Sequence, residues 1–328
     1  MNFGNRLLSK IQRSSRLILY TLGLEKFLYK SHRKRDLVLM FHNVLSETSQ
    51  DINLRNIGVD YFQNMMKYIS KNYEIVPLAD LKNPGSGRIA ITFDDGLINN
   101  LRYAAPVLKK LNLPATFFAT TTWINGEACI WPDEVSLILS SVQHDVEFNG
   151  EIFRKSSFNQ FRSLKNGQRL DEVLTISSQS KVDEWMRVMR QSSNYDVLSD
   201  TEREDAWRIM KGEEIKILAG QKGIEIGSHG VTHRNMTLLS DDELMFELIE
   251  SKKYLEQVTG KTVNAFAFPF GAYSDASLKM ARQAGYSLIA GVNAANVLST
   301  KVDVPKRVGV YNDLSLTENL HFIQKSMI

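Results

Sequence analysis

Short runs of β-prone residues alternate with helical stretches along most of this 328-residue chain. That alternation restricts it to parallel β-sheet joined by right-handed helical crossovers. Leu37–Phe41, Tyr73–Leu78, Arg88–Phe93, Ala115–Ala119, Gly223–Gly227, Val263–Phe268, Ser287–Ala290 and Lys306–Val310 read as strands. Residues 99–111, 240–258, 275–284 and 315–326 read as helices. Ser240 with Glu243 three residues on is a capping box for the second of them. Between about 126 and 212 the rhythm fails. That stretch is polar and helix-rich, and a structureless loop of its length would be out of character for a compact domain. It is expected to be an insertion with its own helices, either shaping a substrate cleft or serving as filler.

Polar chemistry gathers where strands end. His42, Asp94–Asp95, His229–His233 and Pro269–Gly271 each follow a predicted strand directly. In parallel α/β folds the carboxyl ends of the strands form the active face. The sharpest case is "ITFDDG", residues 91–96. Two adjacent carboxylates repel, and burying either is costly unless something offsets it. A lone Asp pair is more simply a helix cap. Beside "SHGVTH" a bound cation becomes the better account. Two imidazoles separated by three residues and one carboxylate make three protein ligands, the open arrangement of catalytic metal sites. One Asp then holds metal and the other is free to act as base.

"TFDDG", "SHGVTH" and "FPFG", in that order, resemble the successive motifs of the polysaccharide deacetylase (NodB-homology) family, carbohydrate esterase family four. The resemblance covers roughly residues 37–125 and 220–315. It implies a distorted (β/α) barrel that removes N- or O-acetyl groups from glycans with a divalent metal. It also implies Asp94 as general base, Asp95, His229 and His233 as metal ligands, and the Phe270 backbone N–H as an oxyanion donor. Pro269 and Gly271 of that turn, with Trp131 of "IWPDE", are expected to line the substrate site, with a core anchor for the insertion as the alternative for Trp131. Zinc is the default metal for hydrolysis, and cobalt, nickel or iron suit the same ligands.

Three departures from the family pattern stand out. The Arg that many members carry before the turn is missing, since the residues there are Ala265-Phe266-Ala267-Phe268. Arg307 is a candidate substitute, with an ordinary surface ion pair as the alternative. Phe270 replaces the commoner Tyr. The usual Leu-x-His that supplies a general acid is also missing. His321 lies mid-helix and out of register, so His42 is the better candidate for that role, with a purely structural histidine as the alternative. Three functions compete: a glycan N-deacetylase, a hydrolase of another acyl or formyl group, and a catalytically inactive glycan- or membrane-binding protein. The presence of every presumed ligand and of the base argues against the last.

The net charge of +3 is unevenly spread. Residues 1–35 hold nine Lys/Arg and one acid, Glu25, leaving 31 bases and 36 acids in the remainder. Leu7, Ile11, Ile18 and Leu22 fall at helical spacing among these charges, the pattern of a helix on an anionic membrane surface or of one packed on the protein body. Its apolar run, Leu17 to Leu24, is too short to span a bilayer, and Glu25-Lys26-Phe27 is a poor cleavage site. Nucleic acid is not an expected partner, because the basic residues lack interleaved stacking aromatics. A single cysteine, Cys129, excludes an internal disulfide and fits a reducing compartment. These features predict a basic arm at 1–35, a catalytic domain at 36–328, and a cytoplasmic enzyme peripheral to the inner membrane face.

Overall fold

A computed structural model describes residues 35–46, 55–82, 87–125, 128–156, 160–192, 201–291, 307–311 and 314–327. The basic arm, Arg35 apart, lies outside these described residues. Thirteen strands are described: β1 (Leu37–Phe41), β2 (Asn43–Leu45), β3 (Asn56–Gly58), β4 (Glu74–Ile75), β5 (Arg88–Phe93), β6 (Ala115–Ala119), β7 (Val146–Phe148), β8 (Glu151–Lys155), β9 (Phe161–Ser163), β10 (Ile224–Ser228), β11 (Ala265–Ala267), β12 (Leu288–Ala290) and β13 (Arg307–Gly309). The main sheet runs β12-β11-β10-β6-β5-β1-β13 with every pair parallel, and β4 joins β5 at its side. It curls into a nearly closed, distorted (β/α) barrel.

The two faces of the strands meet different neighbours, as a period of two requires. Phe41, Phe93 and Phe117 stand in register on β1, β5 and β6 and stack beneath the strand ends, with ring centroids 5.3 and 4.5 Å apart. They belong to the large core shared with the surrounding helices. The opposite face carries Val38, Ala90, Phe118, Ala265, Ala267 and Ala290. Small side chains there leave the barrel interior room for a long polar one. Arg307 takes that room, its guanidinium 5.6 Å from the Phe118 ring.

Most expected elements are present, and the differences have local causes. The strand expected at Tyr73–Leu78 shrinks to Glu74–Ile75 and yields to a 3₁₀ turn over Leu78–Lys82. The helix expected over 99–111 begins as a π-helical turn, Asn100–Ala104, before becoming α-helical over Ala105–Leu111. Pro106 has no N–H to donate back into that first turn, which favours the wider winding. The helix with the Ser240 cap runs Asp241–Thr259, and both arms of its capping box are formed.

The insertion departs most from expectation. Its helices Trp131–Ser141, Leu170–Thr175, Gln179–Ser192 and Thr201–Trp207 are accompanied by an antiparallel sheet, β7-β8-β9, placed between the first two. Phe148 pairs with Glu151, so the link is the two-residue turn Asn149-Gly150, with φ of 53° and 76°. Asn-Gly is the strongest short hairpin signal because both positions need positive φ. Trp131, Val135, Ile138, Phe148, Phe153, Phe161, Val182 and Trp185 give this layer a core of its own. Among the described residues, no helix is long and apolar enough to cross a membrane.

Gly96 closes the turn after the Asp pair, and two features require a glycine there. Its φ is +79°, and a Cβ would lie 2.9 Å from the Ala119 Cα. Gly96→Ala is expected to cost about 2–4 kcal/mol, from the left-handed backbone and the overpacking together. Urea unfolding should show a lower midpoint at unchanged slope. A loss below about 0.5 kcal/mol, the ordinary range for an unconstrained site, would mean that the turn relaxes freely.

Candidate metal and acid–base site

Strand ends bring the polar residues together. Asp94 N–H donates to the Phe41 carbonyl (2.9 Å), so β5 holds register with β1 up to the first carboxylate. Asp95 then turns away with φ +73°. His229 N–H donates to the Ala119 carbonyl (2.9 Å), and the loop that follows closes at His233, φ +56°. A buried carboxylate holds that loop from behind. Glu247, on the helix Asp241–Thr259, accepts from the N–H groups of Val231 (2.6 Å) and Thr232 (3.0 Å) and from the Thr232 hydroxyl.

Asp95, His229 and His233 form a buried cluster whose ligand atoms all lie within 4.8 Å of one another. Asp95 Oδ1 is 3.6 Å from His229 Nε2 and 3.2 Å from His233 Nε2. The His229 ring is oriented by the Ala267 carbonyl, 2.7 Å from Nδ1. Donation by Nδ1–H to that carbonyl leaves Nε2 as a bare lone pair facing Asp95. Burial keeps His229 neutral, with its pKa lowered to about 4. Asp95 Oδ1 is buried with no well-aligned donor among the described residues. A lone pair and an anionic oxygen aimed at each other repel, and a cation between them removes the conflict. The donor set of two imidazoles and one carboxylate therefore fits a divalent metal.

Each carboxylate of the Asp pair has its own guanidinium. Arg307 Nη1 donates to Asp94 Oδ1 at 2.6 Å, with both side chains buried. Arg55 Nη1 donates to Asp95 Oδ2 at 3.0 Å. Burial pushes the Asp94 carboxyl up, but Arg307 and the nearby histidines outweigh it and hold it below the usual carboxylate range. Asp95 is held well below that range against the same burial by His233, His42 and Arg55. Both are thus ionised at neutral pH. Asp94 Oδ2 lies 4.0 Å from His229 Nε2, on the cluster side of the carboxylate.

The other expected residues take varied places. His42 follows β1, half-buried, and its carbonyl accepts from Asn100 Nδ2 (2.7 Å). Burial lowers its pKa to about 4, with Asp95 and Asp94 opposing, so the resting imidazole is neutral. The Pro269–Gly271 turn buries Pro269 and Gly271 and puts Phe270 at φ +59°. The Phe270 ring packs edge-on against His233, centroids 4.8 Å apart, so the turn lies against the ligand cluster. Arg307 starts β13 rather than ending it, yet crosses the barrel interior to Asp94; its partner is buried, unlike an ordinary surface pair. Trp131 takes a place that suits the core-anchor alternative. It is 9% exposed, packs on Phe270 and the core of the insertion, and donates Nε1–H to the His233 carbonyl (2.9 Å). A ring so enclosed anchors the insertion against the Phe270 turn and the histidine loop. His321 sits half-buried on the helix Leu316–Ser326.

Sequence reasoning overlooked three charged residues. Arg55 stands in "INLRNIG" without any motif to mark it. Asp133 belongs to the same "IWPDE" that drew attention to Trp131. Glu247 did carry a signal, since it shares a helical face with the buried Leu244, Leu248 and Ser251, where a charge must have a partner.

The model of the family described as polysaccharide deacetylase matches residues 81–154 and 201–289, passing over 155–200 inside the insertion. The Bacillus subtilis protein YxkH, whose name assigns it to the polysaccharide deacetylases, is 22% identical over 259 residues, covering 76% of this chain. The chain spans 62% of the length of that curated relative. Among solved structures, a polysaccharide deacetylase from Bacillus cereus matches with TM-score 0.54 and 19% identity over 88% of this chain and 69% of its own. The Streptococcus pyogenes deacetylase PplD, solved with acetate, gives TM-score 0.51 and 18% identity over 88% and 98%. IcaB from Ammonifex degensii gives 0.53 and 18% over 89% and 97%. At these identities the structural likeness establishes the fold.

The neutral burial of His229 sets a pH dependence. Its pKa is about 4 when folded and 6.5 ordinarily, so between those values the unfolded chain binds the extra proton. Its contribution is full above pH 6.5 and is lost as pH falls toward 4, in all about 3 kcal/mol. In metal-free protein, His229→Gln should flatten the fall in urea stability between pH 7 and 4. An unchanged slope would show that His229 is not buried neutral.

Proposed function

The chain belongs to the polysaccharide deacetylase family, and on that premise we propose that it is a metal-dependent hydrolase removing N-acetyl groups from a glycan. The observation that carries this reading is the facing of Asp95 Oδ1 and His229 Nε2, two electron-rich atoms 3.6 Å apart in a buried site. Asp95, His229 and His233 hold the divalent cation, with zinc the first choice and cobalt, nickel or iron compatible. When bound, the cation supplies Lewis acidity toward water and the acyl carbonyl.

The residues divide the remaining work. Asp94 takes the proton of the attacking water at Oδ2, because Oδ1 is engaged by Arg307. Arg307 keeps that carboxylate ionised and fixes its rotation. The Phe270 N–H, in the turn packed on His233, donates to the developing oxyanion. Burial keeps the resting His42 imidazole neutral, so it acts by relaying to the leaving amine the proton that Asp94 has taken from the water. The Phe270 turn and Trp131 of the insertion pack against the ligand cluster.

Elemental analysis of purified protein should find close to one divalent metal per chain, and His229→Ala should lose it. Full occupancy in that variant would break the ligand assignment. Asp94→Asn keeps the shape but not the basicity, and should retain metal while losing about 10²–10⁴ in acetate release from N-acetylated oligosaccharides. Wild-type turnover in that variant would move the base elsewhere.

The sequence of residues 1–35 supports a second part of the proposal, attachment to the inner membrane face. Each Lys or Arg near an anionic surface contributes about 1 kcal/mol, and each buried Leu or Ile about 1.5–3 kcal/mol. Sedimentation with vesicles containing phosphatidylserine should capture the full chain at low salt and release it at high salt. Equal sedimentation of a chain lacking residues 1–35 would assign the arm to the protein body instead.

A further inference from the structure

One helix of the insertion touches one of the three proposed ligands directly and reaches a second through Arg55. Trp131, its first residue, donates Nε1–H to the His233 carbonyl at 2.9 Å. Asp133, in its first turn, is wholly buried and accepts from Arg55 Nη2. The same guanidinium donates through Nη1 to Asp95 Oδ2 at 3.0 Å. Arg55 therefore spans from the insertion to the metal-facing carboxylate, and both anions share it. Asp133 Oδ2 is buried with no hydrogen-bond partner among the described residues, so Arg55 is the main compensation for that charge.

The consequence lies in what remains of Asp95. With Oδ2 engaged by a guanidinium, only Oδ1 faces His229 and His233. A carboxylate free at both oxygens can occupy two positions on a cation. One held in this way occupies a single position and leaves the others open for water and the acyl oxygen, as a catalytic site requires. A buried ion pair is weak grounds for stability, since apolar replacements are often neutral or better. What the triad supplies is placement.

We propose that Arg55, clamped between Asp95 and Asp133, is a positioning residue that confines Asp95 to one-oxygen ligation and couples the ligand set to the insertion. This rests on the metal-hydrolase reading above. It gives the insertion a role in the chemistry even though its own side chains do not enter the ligand cluster.

The test is titration of Co²⁺ into metal-free full-length protein, read by its visible d–d absorption, with Arg55→Met and Asp133→Asn alongside. Arg55→Met removes the donor at similar volume. Oδ2 is then released to the ion, the coordination number rises, and the Co²⁺ bands weaken. Turnover of the loaded variant should fall about 10–100-fold in kcat with KM unchanged. Asp133→Asn keeps the shape of the anchor and should weaken the bands in the same sense by a smaller factor. If Arg55→Met does not fold, Asp133→Asn decides alone. Co²⁺ spectra matching the parent in the folded variants would overturn the inference and leave the metal site standing. A parent chain that binds no Co²⁺ would overturn the metal reading and this inference with it.

Discussion

Two ionised carboxylates stand side by side in a buried site, and much of the surrounding structure answers that repulsion. Like charges a few ångströms apart in low dielectric cannot both persist without compensation. Here the compensation comes from two arginines far apart in the chain. Arg307 reaches Asp94 through the barrel interior, and Arg55 reaches Asp95 from the segment before β3. The division makes the two carboxylates chemically different. Asp94 keeps Oδ2 toward the cluster, and Asp95 keeps Oδ1 toward the two histidines.

The barrel is shaped to permit this. Alanines on β5, β11 and β12 and the bare backbone of Gly227 leave interior volume that Phe118 and the Arg307 side chain fill. A Cβ at Gly227 would come within 2.5 Å of the Phe118 ring. On the other face, the stacked row of Phe41, Phe93 and Phe117 sets the height at which β1, β5 and β6 end. The polar residues that follow are thereby brought to one level. Glu247 does the equivalent for the histidine loop by accepting two backbone N–H groups that the turn leaves free.

The insertion is more than a cover. Its core is separate from that of the barrel, yet it meets the site at three residues: Trp131, Asp133 and, across the interface, Phe270. Its sheet was legible in the Asn149-Gly150 pair and in the alternation of Val146, Phe148 and Phe153. The polar composition of the whole stretch hid that local pattern and favoured a helical reading. The family model passes over residues 155–200, so this part of the chain must be read from its own physics.

The strand–helix alternation, the ends of most strands, and the Asp94, Asp95, His229 and His233 set were legible in the sequence. All are local: strands announce themselves by period and residue type, and each motif sits within six residues at a strand end. What only the tertiary structure decided is the pairing of distant charges. Nothing in the spacing of residues 55, 95 and 133 joins them, and Arg307 was separable from a surface cation only once its burial was known. The same holds for Trp131, whose chemistry suits either a sugar platform or a core, and whose enclosure by Phe270 and the insertion is visible only in the folded chain. Burial and contact depend on how the strands close into a barrel, a global property that no short stretch of sequence carries.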